Sequence, residues 1–253
     1  MYLHFFMSNF AHDTIVPFKE SSLSKKEQVA NMFDKIAFRY DFLNRFLSAG
    51  IDVGWRKKAI KELKSLEPKK VLDVATGTGD VAILTYKMLK PENITGIDIS
   101  EGMLELGKGK VEKLGLSNKI QLVKGDSETI NFKNDTFDAV TVAFGVRNFQ
   151  NLEKGLGEML RVLQPGGKLV VLEFSKPKQV AFKGIYNLYM NTVAPGFGKL
   201  IAKNGEAYQY LNDSVKSFPE GKKFAEIMAN VGFKNIYFKP LTLGICTIYC
   251  GSK

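Results

Sequence analysis

The run Val71-Leu72-Asp73-Val74-Ala75-Thr76-Gly77-Thr78-Gly79-Asp80 decides the fold. It opens with β-branched and apolar residues, as a strand buried on both faces should. It then breaks into small residues and glycine before Asp80 begins a helical pattern. Glycine lets a backbone turn tightly and approach a ligand with no side chain between them. The helix start that follows offers unpaired N–H groups to an anion. Strand, glycine turn and helix together make a nucleotide-type cofactor site, and the missing third glycine of G-x-G-x-x-G points away from NAD.

Outward from this run, the second half of the site follows about twenty residues on, where a ribose-binding acid belongs. Ile94-Thr95-Gly96-Ile97-Asp98-Ile99 reads as a short buried strand ending in a carboxylate that can accept from two ribose hydroxyls. The bland alternative is that Asp98 caps the helix beginning near Ser100, although Ser100 can cap it alone. A third strand, Ile120 to Lys124, runs into Gly125-Asp126-Ser127-Glu128. That turn would set Asp126 and the Ser127 backbone beside the base, and a carboxylate suits the exocyclic amine of adenine. Otherwise Asp126 is a plain turn residue.

Phe137 to Phe144 makes a fourth strand and leads into Gly145-Val146-Arg147-Asn148-Phe149. A helical stretch ends at Arg161-Val162-Leu163, Gln164-Pro165-Gly166-Gly167 forms a tight turn, and Lys168 to Phe174 is the next strand. Strands alternating with helices imply parallel βαβ units with right-handed crossovers. Near the end, Lys222 to Val231 patterns as a helix stopped by Gly232. Phe233 to Phe238 and, after Pro240, Leu243 to Cys250 read as an antiparallel hairpin.

The phrases VLDVATGTGD, GDSE, FDAVTVAFGVRN and RVLQPGGKLVVLEFSKP, with the strand-end Asp98, resemble a Rossmann-like S-adenosylmethionine-dependent methyltransferase. More narrowly, the chain resembles the quinone-biosynthesis C-methyltransferases that act on demethylmenaquinol and its benzoquinol counterparts. MFDKIAFRYDFLNRFLSAGIDVGWRK (Met32 to Lys57) is similar to that family's N-terminal signature, and YLNDSVKSFP (Tyr210 to Pro219) to its later tyrosine-leucine-acid-serine-proline stretch. The match runs in family order from about Lys26 onward. The resemblance implies an α/β fold: a doubly wound, mostly parallel seven-stranded sheet with an antiparallel C-terminal hairpin and helices on both faces. It implies one domain over 25–253, with a helical cap at 25–66, a helical substrate-side insertion at 177–220, and a flexible leader at 1–24. Asp213 and Val215 depart from the usual glutamate and isoleucine, and Ala143 from the serine of some members. Tyr249 stands where histidine is frequent, which argues against histidine catalysis there.

Composition agrees. The chain has 253 residues, 45% hydrophobic and 25% charged, enough for one α/β domain with its own core. Cys246 and Cys250 share strand parity, so both face one side, too far apart along it for a disulfide. They read as small buried hydrophobes of a reducing, cytoplasmic protein. The net charge of +10 is scattered among acids, with no long basic stripe, so nucleic acid is not the expected partner. An anionic membrane surface, the inner face of the membrane, and simple solubility explain it equally well. A homodimer is allowed for. Met1 to Phe6 is too short for a signal segment, which leaves Met1 and Met7 both open as the start. Lys25 to Phe46 reads as an amphipathic helix with Val29, Met32, Phe33, Ile36, Tyr40 and Leu43 on one face. The aromatic, Met-rich stretch VAFKGIYNLYMNTVAPGFGKLIA suits an apolar channel for a prenylated quinol, with a mouth near lipid.

Methyl transfer from a sulfonium needs alignment and no metal. A hydroquinone carbon becomes a good nucleophile once an adjacent hydroxyl loses its proton, so a group that holds the quinolate is expected. Arg147 and Asn148 follow the fourth strand where substrate should meet the methyl group, and Arg147 is permanently cationic. The alternative for Arg147 is a structural ion pair with Asp41 or Glu173. Tyr40, Asp41 and Asp213 are secondary candidates for gating or proton transfer. In the cofactor pocket, Asp73 and the Gly77–Gly79 turn should receive the methionyl end, with Thr78 bonding its carboxylate or ammonium; otherwise Asp73 braces the loop. Two other functions stay open: a methyltransferase acting on RNA or another small molecule, and a non-catalytic scaffold in quinone biosynthesis.

Overall fold

The computed structural model describes residues 10, 12–48, 50–177 and 205–253. In chain order its elements are α1 (Lys25–Leu47), α2 (Ile51–Lys61), β1 (Lys70–Val74), α3 (Asp80–Leu89), β2 (Asn93–Asp98), α4 (Glu101–Lys113), β3 (Ile120–Lys124), β4 (Phe137–Ala143), α5 (Leu152–Val162), β5 (Leu163–Phe174), α6 (Gly205–Ser217), α7 (Lys222–Val231), β6 (Lys234–Leu241) and β7 (Cys246–Ser252). Among the described residues they form one seven-stranded sheet in the order β3-β2-β1-β4-β5-β7-β6. The first five strands are parallel; β7 runs antiparallel to β5, and β6 antiparallel to β7. Chain order reverses between β1 and β4, so a crevice opens there at the carboxyl ends of the strands.

Alternation along each strand divides the core in two. Leu72 and Val74 of β1, Val140 and Val142 of β4, and Tyr249 of β7 face one side, packed with Leu156 of α5 and Phe224 of α7. Val71, Ala139, Ile248 and both cysteines face the other, packed with Trp55 of α2, Ala82 of α3 and Leu104 of α4. The sheet therefore buries both faces, which is why its central strands carry few polar residues. Cys246 and Cys250 are free and buried on the same face, as their parity requires. On α1, Val29 and Met32 are buried and pack with Tyr210 of α6.

The structure departs from the sequence reading in three places. β6 continues through Pro240, which pairs with Thr247 of β7. The strand is at the sheet edge, where the missing N–H of proline costs no ladder bond. β5 begins at Leu163, before the Gln164-Pro165-Gly166-Gly167 turn, which forms a register shift between the Phe137–Leu163 and Ala139–Lys168 pairs. Residues 12–24, read as a leader apart from the domain, pack against it: His12 is fully buried, and Lys25 Nζ donates to its carbonyl at 2.6 Å. Most of the expected insertion, including Phe182, Tyr186 and Met190, lies outside the described residues.

Candidate active site

At the reversal point lies a cleft of about 660 Å³. One wall comes from the strand ends of the first half: Ala75 and Gly77 after β1, Asp98 and Ile99 at the end of β2, Asp126 and Ser127 after β3. The facing wall comes from β4 and its turn, with Ala143, Phe144, Gly145 and Asn148. The first half of α1 closes the remaining side with Lys26, Val29 and Phe33.

The glycine turn is shaped for close approach. Gly77 has φ +56° and a Cβ built on it meets no atom within 4 Å, so a side chain there would project into open space at the cleft wall. Ala75 also has positive φ, at 51°, and abuts Gly145, where an added Cβ would come within 2.6 Å of the Ala75 Cβ. Gly145 is therefore required for the two walls to meet. Beneath the turn, Asp73 accepts from the hydroxyls of Thr76 and Thr141, both at 2.6 Å. Burial pushes its carboxyl up to about 6, against the two hydroxyl bonds. Asp73 is 1% exposed and braces the turn from below; it is not in the cleft wall. Thr78 is likewise buried, accepting from Lys110 Nζ at 2.8 Å, and Gly79, with φ +78°, caps α3.

Asp98 holds the loop and lines the cleft. Its Oδ2 accepts from Gly77 N at 2.8 Å and its Oδ1 from Ser100 N at 2.9 Å, while its carboxylate borders the cleft. Burial raises its carboxyl above the ordinary range, opposed by these N–H bonds. Ser100 itself caps α4, accepting from Met103 N. Asp126 receives the amine of Lys26 at 2.5 Å, and Lys26 also reaches Glu128 at 3.3 Å. Ser127 stands beside it in the wall.

The substrate side is built differently. Arg147 is 3% exposed; its guanidinium bonds Glu173 at 2.7 Å and the Phe144 carbonyl at 2.5 Å. Of the two ion pairs considered for it, the one with Glu173 is present. Burial raises the Glu173 carboxyl, opposed by Arg147. Asn148 does border the cleft, and its Oδ1 accepts from the Tyr210 hydroxyl of α6 at 3.1 Å. Tyr40 and Asp41 lie on α1, but their side chains fall outside the described residues. Asp213 is on α6, accepting from Gln209 one turn earlier at 3.0 Å. Tyr249 is a core residue whose hydroxyl accepts from Gly221 N at 2.8 Å, away from the cleft.

The structure thus gathers Gly77, Asp98, Asp126, Ser127 and Asn148 into one cleft and puts Asp73, Thr78 and Arg147 just behind it. Sequence reading missed Lys26, Ile99, Met103 and Phe149 in the wall. Ile99 and Phe149 had a signal, each being the next residue after one already singled out. Lys26 had none, since its partners lie a hundred residues away. The contents suit S-adenosylmethionine: an acid for ribose hydroxyls, an acid that already accepts an amine for adenine, and apolar Ile99 and Met103 for the base faces.

Comparison with known proteins agrees. The ubiE/COQ5 methyltransferase family model matches residues 21–253. The demethylmenaquinone methyltransferase of Bacteroides fragilis is 47% identical over 245 residues, covering 97% of this chain and 100% of that one. The ubiquinone/menaquinone biosynthesis C-methyltransferase UbiE of Geotalea daltonii is 49% identical over 230 residues, covering 90% and 97%. Among solved structures, a SAM-dependent methyltransferase of Thermotoga maritima superposes with a TM-score of 0.62 at 18% identity, covering 88% of this chain and 99% of that one. The [4+2]-cyclase SpnF superposes with a TM-score of 0.58 at 18% identity, covering 90% and 96%. That neighbour shows that the fold alone does not name the reaction.

Proposed function

This chain belongs to the ubiE/COQ5 methyltransferase family, and from that membership we propose that it methylates a ring carbon of demethylmenaquinol, with S-adenosylmethionine as donor. The observation that carries the reading is the single cleft in which Gly77, Asp98 and Asp126 form one wall and Asn148 the other. The donor supplies an activated methyl group, and every other demand falls on the chain. Asp98 takes the ribose hydroxyls, Asp126 the base amine once Lys26 gives way, and Ile99 and Met103 the base faces. The backbone at Gly77 admits the sulfonium arm.

On the opposite wall, the acceptor ring lies against Asn148 and Phe144. The Asn148 amide, oriented by Tyr210, donates to the quinolate oxygen, and Arg147 behind it supplies positive potential moderated by Glu173. Tyr40, Asp41 and Asp213 remain candidates for gating and proton transfer. The net charge of +10 favours contact with an anionic membrane surface. Among the described residues no helix is long and apolar enough to cross a membrane.

The test is transfer of labelled methyl from S-adenosylmethionine by the purified protein, offered demethylmenaquinol, its benzoquinol counterpart and transfer RNA in parallel. Label in the naphthoquinol product supports the reading. Label confined to RNA, or to the benzoquinol, contradicts it.

A further inference from the structure

The cleft provides for the sugar and base of the donor but not for the carboxylate at the end of its methionyl arm. Asp98, Asp126 and Glu128 carry the wrong charge for that group. Along the carboxyl edge, Asp126 follows β3, Asp98 ends β2, Gly77 follows β1, and Ala143 ends β4. The arm must therefore run past Gly77, away from Asp126, toward whatever covers the ends of β1 and β4.

Arg56 of α2 is what lies there. It borders a second, small recess together with Val81 of α3 and Thr141 and Ala143 of β4; Ala143 lines both this recess and the cleft. Its Cζ is 5.7 Å from the centre of the Phe144 ring, which lines the cofactor cleft. Arg56 is 7% exposed. One terminal nitrogen pairs with Asp52 of the same helix, which Ser48 holds by a 2.7 Å bond. That nitrogen is also 4.0 Å from Asp80 Oδ2 at the start of α3. The Nε–H, however, has no hydrogen-bond partner. A buried charged donor left unmatched is costly. Such a donor is kept where a ligand completes it. α3 starts at Asp80, next to Arg56, and its cap residue Gly79 offers no side-chain hydrogen bond, so first-turn N–H groups add positive potential there.

We propose that the Nε edge of Arg56, held in place by Asp52, receives the α-carboxylate of the donor's methionyl arm. This rests on the cofactor reading above and extends it to the far end of the ligand. A planar guanidinium edge matches a carboxylate where a lysine ammonium does not.

The experiment is calorimetric titration of the full chain and of Arg56→Gln and Arg56→Lys with two ligands: S-adenosylhomocysteine, which carries the carboxylate, and methylthioadenosine, which lacks the whole amino-acid arm. Loss of a charge-assisted bond should weaken S-adenosylhomocysteine about 10–100-fold in Arg56→Gln. Arg56→Lys should fall between that variant and the parent. Methylthioadenosine should bind both variants within about 2-fold of the parent, well under one charge-assisted bond, and this also certifies the fold. Equal weakening of both ligands, or unchanged S-adenosylhomocysteine binding in either variant, overturns the assignment. A parent protein that binds neither ligand sinks the cofactor reading itself and leaves the inference without a basis.

Discussion

The two walls of the cleft solve opposite problems. On the β1–β3 side, the acids Asp98 and Asp126 face the cleft, and Asp98 is held there by backbone N–H groups. On the β4–β5 side, the charges face one another: Arg147 and Glu173 are paired, and the wall shows the cleft neutral residues such as Phe144 and Asn148. The first wall turns its acids toward the cleft; the second pairs its charges behind it. The difference predicts that substitutions on the first wall cost binding above all, whereas those on the second cost the fold or turnover and leave binding.

Asp98→Ala should break the first half of that comparison most strongly. Two charge-assisted bonds to the ribose are worth about 3–6 kcal/mol together, so donor affinity of the folded fraction by calorimetry should drop by at least about a hundredfold. The urea midpoint should also fall, because the Gly77 and Ser100 N–H groups lose their acceptor. Full affinity would mean that Asp98 only holds the loop.

Glu173→Ala should do the reverse. It leaves the Arg147 guanidinium buried without its acid, a loss of about 3–5 kcal/mol of stability, while the folded fraction keeps its donor affinity. An unchanged unfolding midpoint would show that the pair contributes nothing to the fold.

Asp73, behind the first wall, sharpens the comparison through pH. It holds its proton to about 6 in the fold against an ordinary 3.8. A proton bound more tightly in the folded state favours folding below the ordinary value, and that contribution is lost as pH rises through about 6. The change amounts to at most about 3 kcal/mol. Asp73→Asn should remove this part of the slope in urea titrations across that window; a slope equal to the parent's would show that the Thr76 and Thr141 hydroxyls offset burial.

Tyr210→Phe carries the smallest effect. Losing one neutral bond to Asn148, worth about 1 kcal/mol, should lower kcat several-fold with donor affinity unchanged. A rise in KM alone would instead place Tyr210 in substrate binding.

The same contrast explains what the sequence could show. On the first wall the informative residues are local: a strand, a turn and the acid at the next strand end. Thus β3 (Ile120–Lys124) and α7 (Lys222–Val231) have the bounds that the patterns give. The second wall depends on pairs distant in the chain, such as Arg147 with Glu173 and Asn148 with Tyr210, and spacing cannot rank such partners. Arg56 was hidden for the same reason, within a signature whose helix could be read but whose neighbours could not. Pro240 misled because only the edge position of β6, a fact of topology, makes proline acceptable in that strand.

The most direct measurement is a crystal structure with S-adenosylhomocysteine bound. It should show the ribose hydroxyls on Asp98 and the base amine on Asp126, with Lys26 displaced. A nucleoside bound elsewhere, with Lys26 still seated on Asp126 and the cleft vacant, would contradict the account.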